Sequence, residues 1–305
     1  MNHVTDQLLQ IVADYKGVFN GAYNIREDGQ CAGRQSTAHV KIESKEDAPG
    51  LVIRILPGTS GETVYIPACV TKSGVDDLVY NDFYVGEGAD VVIVAGCGVH
   101  SEGEEEARHN GIHRFFLEKD AHVVYREKHI GMGKGTGTRR IDPVTDAQLK
   151  ENACLEMDTV QLRGVDSTVR KTRAVLGKNA RVVVRERIMT DGDETARTEF
   201  EVTLEGEGSA ADLVSRSVAR GHSHQEFYSQ MRGRNRCTGH SECDAILVDN
   251  GTVTAAPALE ASHVDAALIH EAAIGKIAGE QILKLRTLGL TETEAEEKIV
   301  SGFLK

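Results

Sequence analysis

LEKDAHVVYR, residues 117–126, sets an apolar residue, a polar run, an alanine and then β-branched alternation. Close relatives of it recur as VGEGADVVIV at 85–94, LGKNARVVVR at 176–185 and LVDNGTVTAA at 247–256. Their starting positions are unevenly spaced, so the repeat is degenerate and keeps no single period. Turn-then-strand units in such a series suit an irregular solenoid better than a propeller, because each coil buries its inward apolar residues only against the coils above and below. Aromatic residues make up 5% of the chain and tryptophan is absent, so the core has to be stacked Val, Ile, Leu and Ala. An ordinary β-sandwich is the alternative for short strands at this spacing.

Outward from the repeat, both ends read as helix. Val4, Leu8, Ile11, Val12, Tyr15, Val18 and Phe19 fall at helical spacing with Thr5 as the expected N-cap, which predicts an amphipathic helix lying on a larger body. Residues 21–49 are polar and broken by glycine, with turn signals around the short strand HVKIES, and predict extended edge structure. GEQILKLRTLGL, residues 279–290, predicts a short helix stopped by Gly289, and Thr291-x-x-Glu294 is a capping box opening a second one. Helices so short have to bury apolar residues on something, from Ile282, Leu283 and Leu285 to Ile299, Val300 and Phe303. The expected layout is therefore an N-terminal helix over 1–20, a β-helix core over 21–265 and a C-terminal helical segment over 266–305.

A formal net charge of −12 without long basic tracts argues against nucleic acid or an anionic membrane as the main partner. No apolar run approaches the roughly 18 residues of a membrane span, and MNHVTDQLLQ lacks the plan of a secretory signal. A cytoplasmic protein is expected. The six cysteines, at 31, 69, 97, 154, 237 and 243, include no C-x-x-C, which leaves a zinc ribbon or a thioredoxin-like motif unsupported.

Two cysteines have ligand-type company. Cys243 lies between Glu242 and Asp244, three residues after His240, and the chain then runs through apolar residues to His270-Glu271. Thiolate is soft and suits zinc or an iron–sulfur cluster, while imidazole and carboxylate complete a site that can release its metal. Cys97-x-x-His100 precedes an acidic loop and His109-x-x-x-His113; Gly111 speaks against a helical histidine pair there. Cys31 and Cys154 lie outside any such company. GMGKGTG (131–137) lacks the order of a phosphate loop and reads as a loop between coils. The three arginines of MRGRNRC (231–237) could lower a thiol's pKa, though ion pairing between coils suits them better.

The strings GHSECDAILVDN (239–250) and LIHEAAIGKIAGEQILKLRTLGLTETEAEEKIVSGFLK (268–305) resemble the C-terminal portion of the SufB/SufD family of iron–sulfur cluster assembly proteins. The resemblance is dense over about the last seventy residues and weaker upstream. It implies a right-handed parallel β-helix whose C-terminal helices dock a SufC-like ABC-type ATPase. It also implies a scaffold without turnover of its own, on which a transient iron–sulfur cluster is built from iron and from persulfide supplied by a cysteine desulfurase or sulfur carrier. On a SufB-like member, Cys243 would accept sulfur and ligate the cluster, and His270 and Glu271 would take incoming iron. The AGC around Cys97 is similar to the EGC segment implicated in accepting sulfur, but GVH follows it where the family pattern has TAP. One chain offers few clustered thiolates, so the site is expected to be shared in a homodimer or with a related SufB/SufD subunit. The alternative is a SufD-like subunit that binds the ATPase and holds no cluster.

Overall fold

In the computed structural model, which describes residues 1–305, the first three copies of the repeat form one corner of a parallel β-solenoid of about eight turns, and the fourth lies at the opposite corner. Leu117 ends the strand Ala107–Leu117, Asp120 turns the chain in the left-handed region at φ 57°, Ala121 packs inside, and His122 opens the strand His122–Met132. Asn152 and Asn179 occupy the same corner on the next two coils, also at positive φ, with Ala153 and Ala180 fully buried beside them. Short polar side chains tolerate that conformation. Stacked, they also bond to one another: Asn152 Nδ2 donates to Asp120 Oδ1 at 2.7 Å and Asn179 Nδ2 to Asn152 Oδ1 at 3.2 Å.

Asp90, His122, Cys154, Arg181, Ala210 and Thr238 stack in register. Coil length therefore varies between neighbours, and the repeat cannot keep one period. The widest gap in the repeat has a second cause. Leu176 stacks on Leu204 and Leu204 on Gly233, two coils on, and the chain then crosses to Leu247 at the opposite corner. One sheet runs from Gln30–Gln35 to Ala266–Lys276 and the other from Val40–Ser44 to Thr252–Ala261. Antiparallel pairing is confined to the first strands, Ala22–Glu27 with Gln30–Gln35 and Val40–Ser44 with Gly50–Ile55, in the segment expected to be edge structure.

The lumen divides lengthwise. Near the alanine corner it is apolar, with Phe83 stacked on Phe115 at 4.6 Å and Tyr125 edge-on to Phe115 at 5.3 Å. Towards the other corner it carries a buried polar chain. His113 Nδ1 lies 2.7 Å from the Tyr125 hydroxyl, which donates to Glu127 at 2.8 Å; Glu127 pairs with Arg170 at 2.5 Å, and Arg170 reaches Glu186 at 3.4 Å. Thr198 and Ser215 donate to Glu186 at 3.0 and 2.6 Å.

Acid should weaken this lumen. Burial pushes the His113 imidazole down to about 4, whereas in the unfolded chain it titrates at about 6.5. Its stabilising contribution is complete above about pH 6.5 and is lost as the pH falls towards 4, by about 3 kcal/mol. Urea melts at pH 7.5 and 4.5 should show His113→Gln losing less stability between the two pH values than the wild type. Equal losses would place the acid sensitivity elsewhere.

The N-terminal helix, α1, covers His3–Ala13, shorter than the apolar spacing suggests, and Asn2 rather than Thr5 caps it, its side chain accepting from the Thr5 amide at 2.8 Å. Leu8, Leu9 and Val12 are buried on the outer face of the strand Asp90–His100. The approach is close enough that a Cβ on Gly96 would lie 2.3 Å from the Val12 carbonyl oxygen, so glycine is required there. At the other end, residues 266–276 form the last strand, and the helices proper are α2, Gly279–Arg286, and α3, Glu292–Phe303. The capping box at Thr291 and Glu294 forms as expected. Val300 and Leu304 pack with Val218 and Val248 and so close one flank of the solenoid. No helix is long and apolar enough to cross a membrane.

Candidate functional site at the last coils

The strand Cys237–Leu247 alternates strictly. Gly239, Ser241 and Cys243 point into the lumen, and His240, Glu242 and Asp244 lie on the outer face. Cys243 is 1% exposed, and burial, with Glu186 and Asp244 nearby, pushes its thiol up to about 12. The final strand Ala266–Lys276 pairs with it so that Ser241 faces His270, Glu242 faces Glu271 and Cys243 faces Ala272.

The sequence-predicted residues are thus separated by the sheet. Cys243 and His270 follow the inner face as diagonal neighbours, on the order of 8 Å apart by strand geometry, while Glu271 belongs to the outer face. Both ring nitrogens of His270 lack a hydrogen-bond partner, and burial, then the nearby His240, holds its pKa below the ordinary value. Glu271 gathers with His240 and Glu242, their ligand atoms all within 4.8 Å of one another. His240 Nδ1 lies 3.0 Å from Asp212 and its Nε2 3.5 Å from Glu271, so a carboxylate orients the ring and leaves the other nitrogen facing the cluster. The hydrogen bond to Asp212 raises the His240 pKa above its usual value, with Glu271 adding to it. Imidazole and two carboxylates form a donor set for a divalent transition metal.

Cys97 sits in the strand Asp90–His100, also facing the lumen, 4% exposed. Burial, then Glu127, raises its thiol pKa well above the ordinary range. A small cavity there is lined by Arg26, Asn81, His109 and His113. Both histidines lie on one strand, Ala107–Leu117, and neither shares a helical face; His109 pairs with Asp77 at 3.0 Å. The column Cys97, His129, Gln161, Ile188, Ser217 and Ala245 spans five strand-to-strand steps. The two thiols therefore face one lumen, on the order of 24 Å apart along the axis, with Glu127, His129, Glu186 and Ser215 between them.

The other motifs resolve simply. His100 pairs with Glu102 at 3.2 Å. The glycine loop stacks on the preceding coil, the amides of Gly135 and Gly137 bonding to the carbonyls of Ser101 and Gly103. Arg232, Arg234 and Arg236 pair with Glu201, Glu260 and Glu207 on neighbouring coils and stay away from Cys243. Sequence reasoning missed the outer cluster, although a strand period of two places His240 and Glu242 together, opposite Cys243.

These features define a β-solenoid protein with a buried thiol and metal-ligand side chains grouped on the two faces of its terminal coils. Residues 80–303 match the SUF system FeS cluster assembly, SufBD core domain family, and the chain belongs to it. An iron-sulfur cluster assembly SufBD family protein, the MTH1150 homolog of Methanothermobacter thermautotrophicus (strain Winter), is 32% identical over 271 residues, 86% of this chain and 64% of that protein. The Archaeoglobus fulgidus SufBD family protein is 29% identical over 267 residues, 87% of this chain and 70% of the relative. MJ0034 of Methanocaldococcus jannaschii is 22% identical over 276 residues, 88% and 86% of the two chains. The chain thus spans a little under two thirds of the first relative's length.

Proposed function

We propose that this chain is a SufB-like scaffold on which sulfur and iron are combined into an iron–sulfur cluster that is then handed on. Cys243 accepts persulfide sulfur and becomes the cluster thiolate, His270 is the nitrogen ligand beside it, and Glu271, with His240 and Glu242, takes incoming iron on the outer face. Cys97 is a second sulfur acceptor facing the same lumen. The observation that carries this reading is the register of the strands Cys237–Leu247 and Ala266–Lys276, which sets His270 diagonally beside Cys243 on the inner face and Glu271 beside Glu242 on the outer face. A buried protonated thiol is a poor nucleophile. Sulfur loading at Cys243 therefore requires the outermost strand to move, and that strand is exposed along most of its length. A SufD-like subunit without a cluster would have no use for the His270 and Glu271 placement.

The terminal strands Thr252–Ala261 and Ala266–Lys276 each have a free edge, and Leu259, Ile269 and Ile274 are exposed on them. Such an edge invites a partner, and a second copy or a related SufB/SufD subunit there would add ligands next to His270. The reading is tested by anaerobic incubation with ferrous iron, cysteine, a cysteine desulfurase and dithiothreitol, the dithiol supplying the two electrons that take each persulfide sulfur to sulfide. The expected result is a brown protein carrying iron and acid-labile sulfide in about equal amounts; a colourless protein with neither would overturn it.

An ABC-type ATPase is the proposed partner of the C-terminal helices. Leu283 and Leu288 are 62% and 76% exposed, whereas Ile282 and Leu285 are half-buried. Leu283→Asp with Leu288→Asp should abolish co-purification of the ATPase and leave the melting temperature within a few degrees of wild type. Unchanged co-purification would remove α2 and the turn after it from the interface.

A further inference from the structure

Cys154, which the sequence leaves without ligand company, acquires it through the coil. His122 lies one coil earlier, directly beside Cys154 in the ladder, and Glu156 follows on the same outer face. The ligand atoms of His122, Cys154 and Glu156 all lie within 4.8 Å of one another. His122 Nδ1 is 2.9 Å from Asp90, one coil earlier still, and its Nε2 is 3.3 Å from Glu156. We propose that His122, Cys154 and Glu156 bind a divalent transition metal of the Zn²⁺ class, with Asp90 as a positioning residue.

The donor set carries the assignment. One thiolate, one imidazole and one carboxylate are three of the four ligands that tetrahedral zinc takes, leaving a position for water or a further ligand. Asp90 holds the far nitrogen of the ring, which is how ligating imidazoles are usually fixed. Charge agrees as well: Arg181 is the next residue in the column after Cys154. Thiolate, Glu156 and Asp90 bring three negative charges against that one arginine, and a divalent ion balances the remainder. Without metal the thiol stays protonated, because burial and then Glu156 raise its pKa against the opposing pull of Arg181. Binding therefore releases a proton. A groove of about 640 Å³ on this sheet runs from Glu156 past Arg185 and Asp212 to His240 and Glu242, joining this site to the outer cluster at the last coils.

Co²⁺ is the probe, because thiolate ligation gives it a charge-transfer band in the near ultraviolet. The background is Cys31→Ser with Cys243→Ser, which removes the exposed thiol and the proposed cluster thiol, so failure here is separable from failure of cluster assembly. That protein should bind one Co²⁺ with the thiolate band, and Zn²⁺ should displace it. Adding Cys154→Ser or His122→Asn should abolish the band, Glu156→Gln should weaken binding at least tenfold, and Asp90→Asn should weaken it about 10–100-fold. On the unmutated chain, Zn²⁺ should slow alkylation of Cys154 at least tenfold by peptide mapping, a readout that needs no variant to fold. A band that survives Cys154→Ser, absence of any band at millimolar Co²⁺, or unprotected Cys154 would each overturn the proposal.

Discussion

Arg170→Ala should destabilise the fold by about 3–5 kcal/mol, because it leaves buried carboxylates without their cation. Arg170 is 5% exposed and is shared between Glu127 and Glu186. Burial alone would push the Glu127 carboxyl up, but Arg170 and then His129 outweigh it and hold it well below the usual carboxylate range. Without Arg170 the burial effect dominates, and Glu127 takes up a proton in the fold that it gives up on unfolding at neutral pH. The stability deficit of the variant should therefore be larger at pH 8 than at pH 5, the reverse of the acid sensitivity that His113 gives the wild type. Since domains are stable by about 5–15 kcal/mol, urea melts will resolve the loss. Arg170→Met combined with Glu127→Gln and Glu186→Gln should recover most of it. If Arg170→Ala melts like wild type, the buried pairs are not what holds the polar half of the lumen.

Much of the fold is legible in the sequence because a solenoid repeats its corner, and the corner chemistry is local. Asp120, Asn152 and Asn179 announce left-handed turns, and Ala121, Ala153 and Ala180 fill the space beneath them. What is not legible is the length of each coil, which changes along the solenoid without a local mark. That one unknown hides the company of Cys154, whose partner His122 stands a full coil upstream. The grouping of Cys243 with Glu242 and Asp244 fails for another reason. Neighbours in a strand point to opposite faces, so sequence adjacency there measures separation across a sheet. The lumen's ion pairs are invisible for the same cause as the metal-ligand cluster, because Glu127, Arg170 and Glu186 come from three separate coils.

Cys243→Ser should lower acid-labile sulfide on the reconstituted protein at least tenfold. Iron–sulfur clusters depend on thiolate, and a serine oxygen offers a hard ligand in its place. Loss by misfolding is unexpected: serine already occupies the preceding position of the same column at Ser215, and Ser241 lies two residues away on the same inner face, bonded to Ser229 at 2.9 Å. Glu271→Ala acts on the outer face and should reduce iron loading several-fold while persulfide still forms on Cys243, detectable as a mass gain of one sulfur. His270→Ala should keep the persulfide and lose the cluster, because the two ring nitrogens without partners are the ones available to iron. Cys31→Ser and Cys154→Ser should leave the sulfide content unchanged, the first because it is remote and the second because its proposed metal is separate from the cluster. If Cys243→Ser kept full iron and sulfide while Cys97→Ser lost both, the cluster would belong beneath α1, and the terminal coils would serve only to recruit a partner.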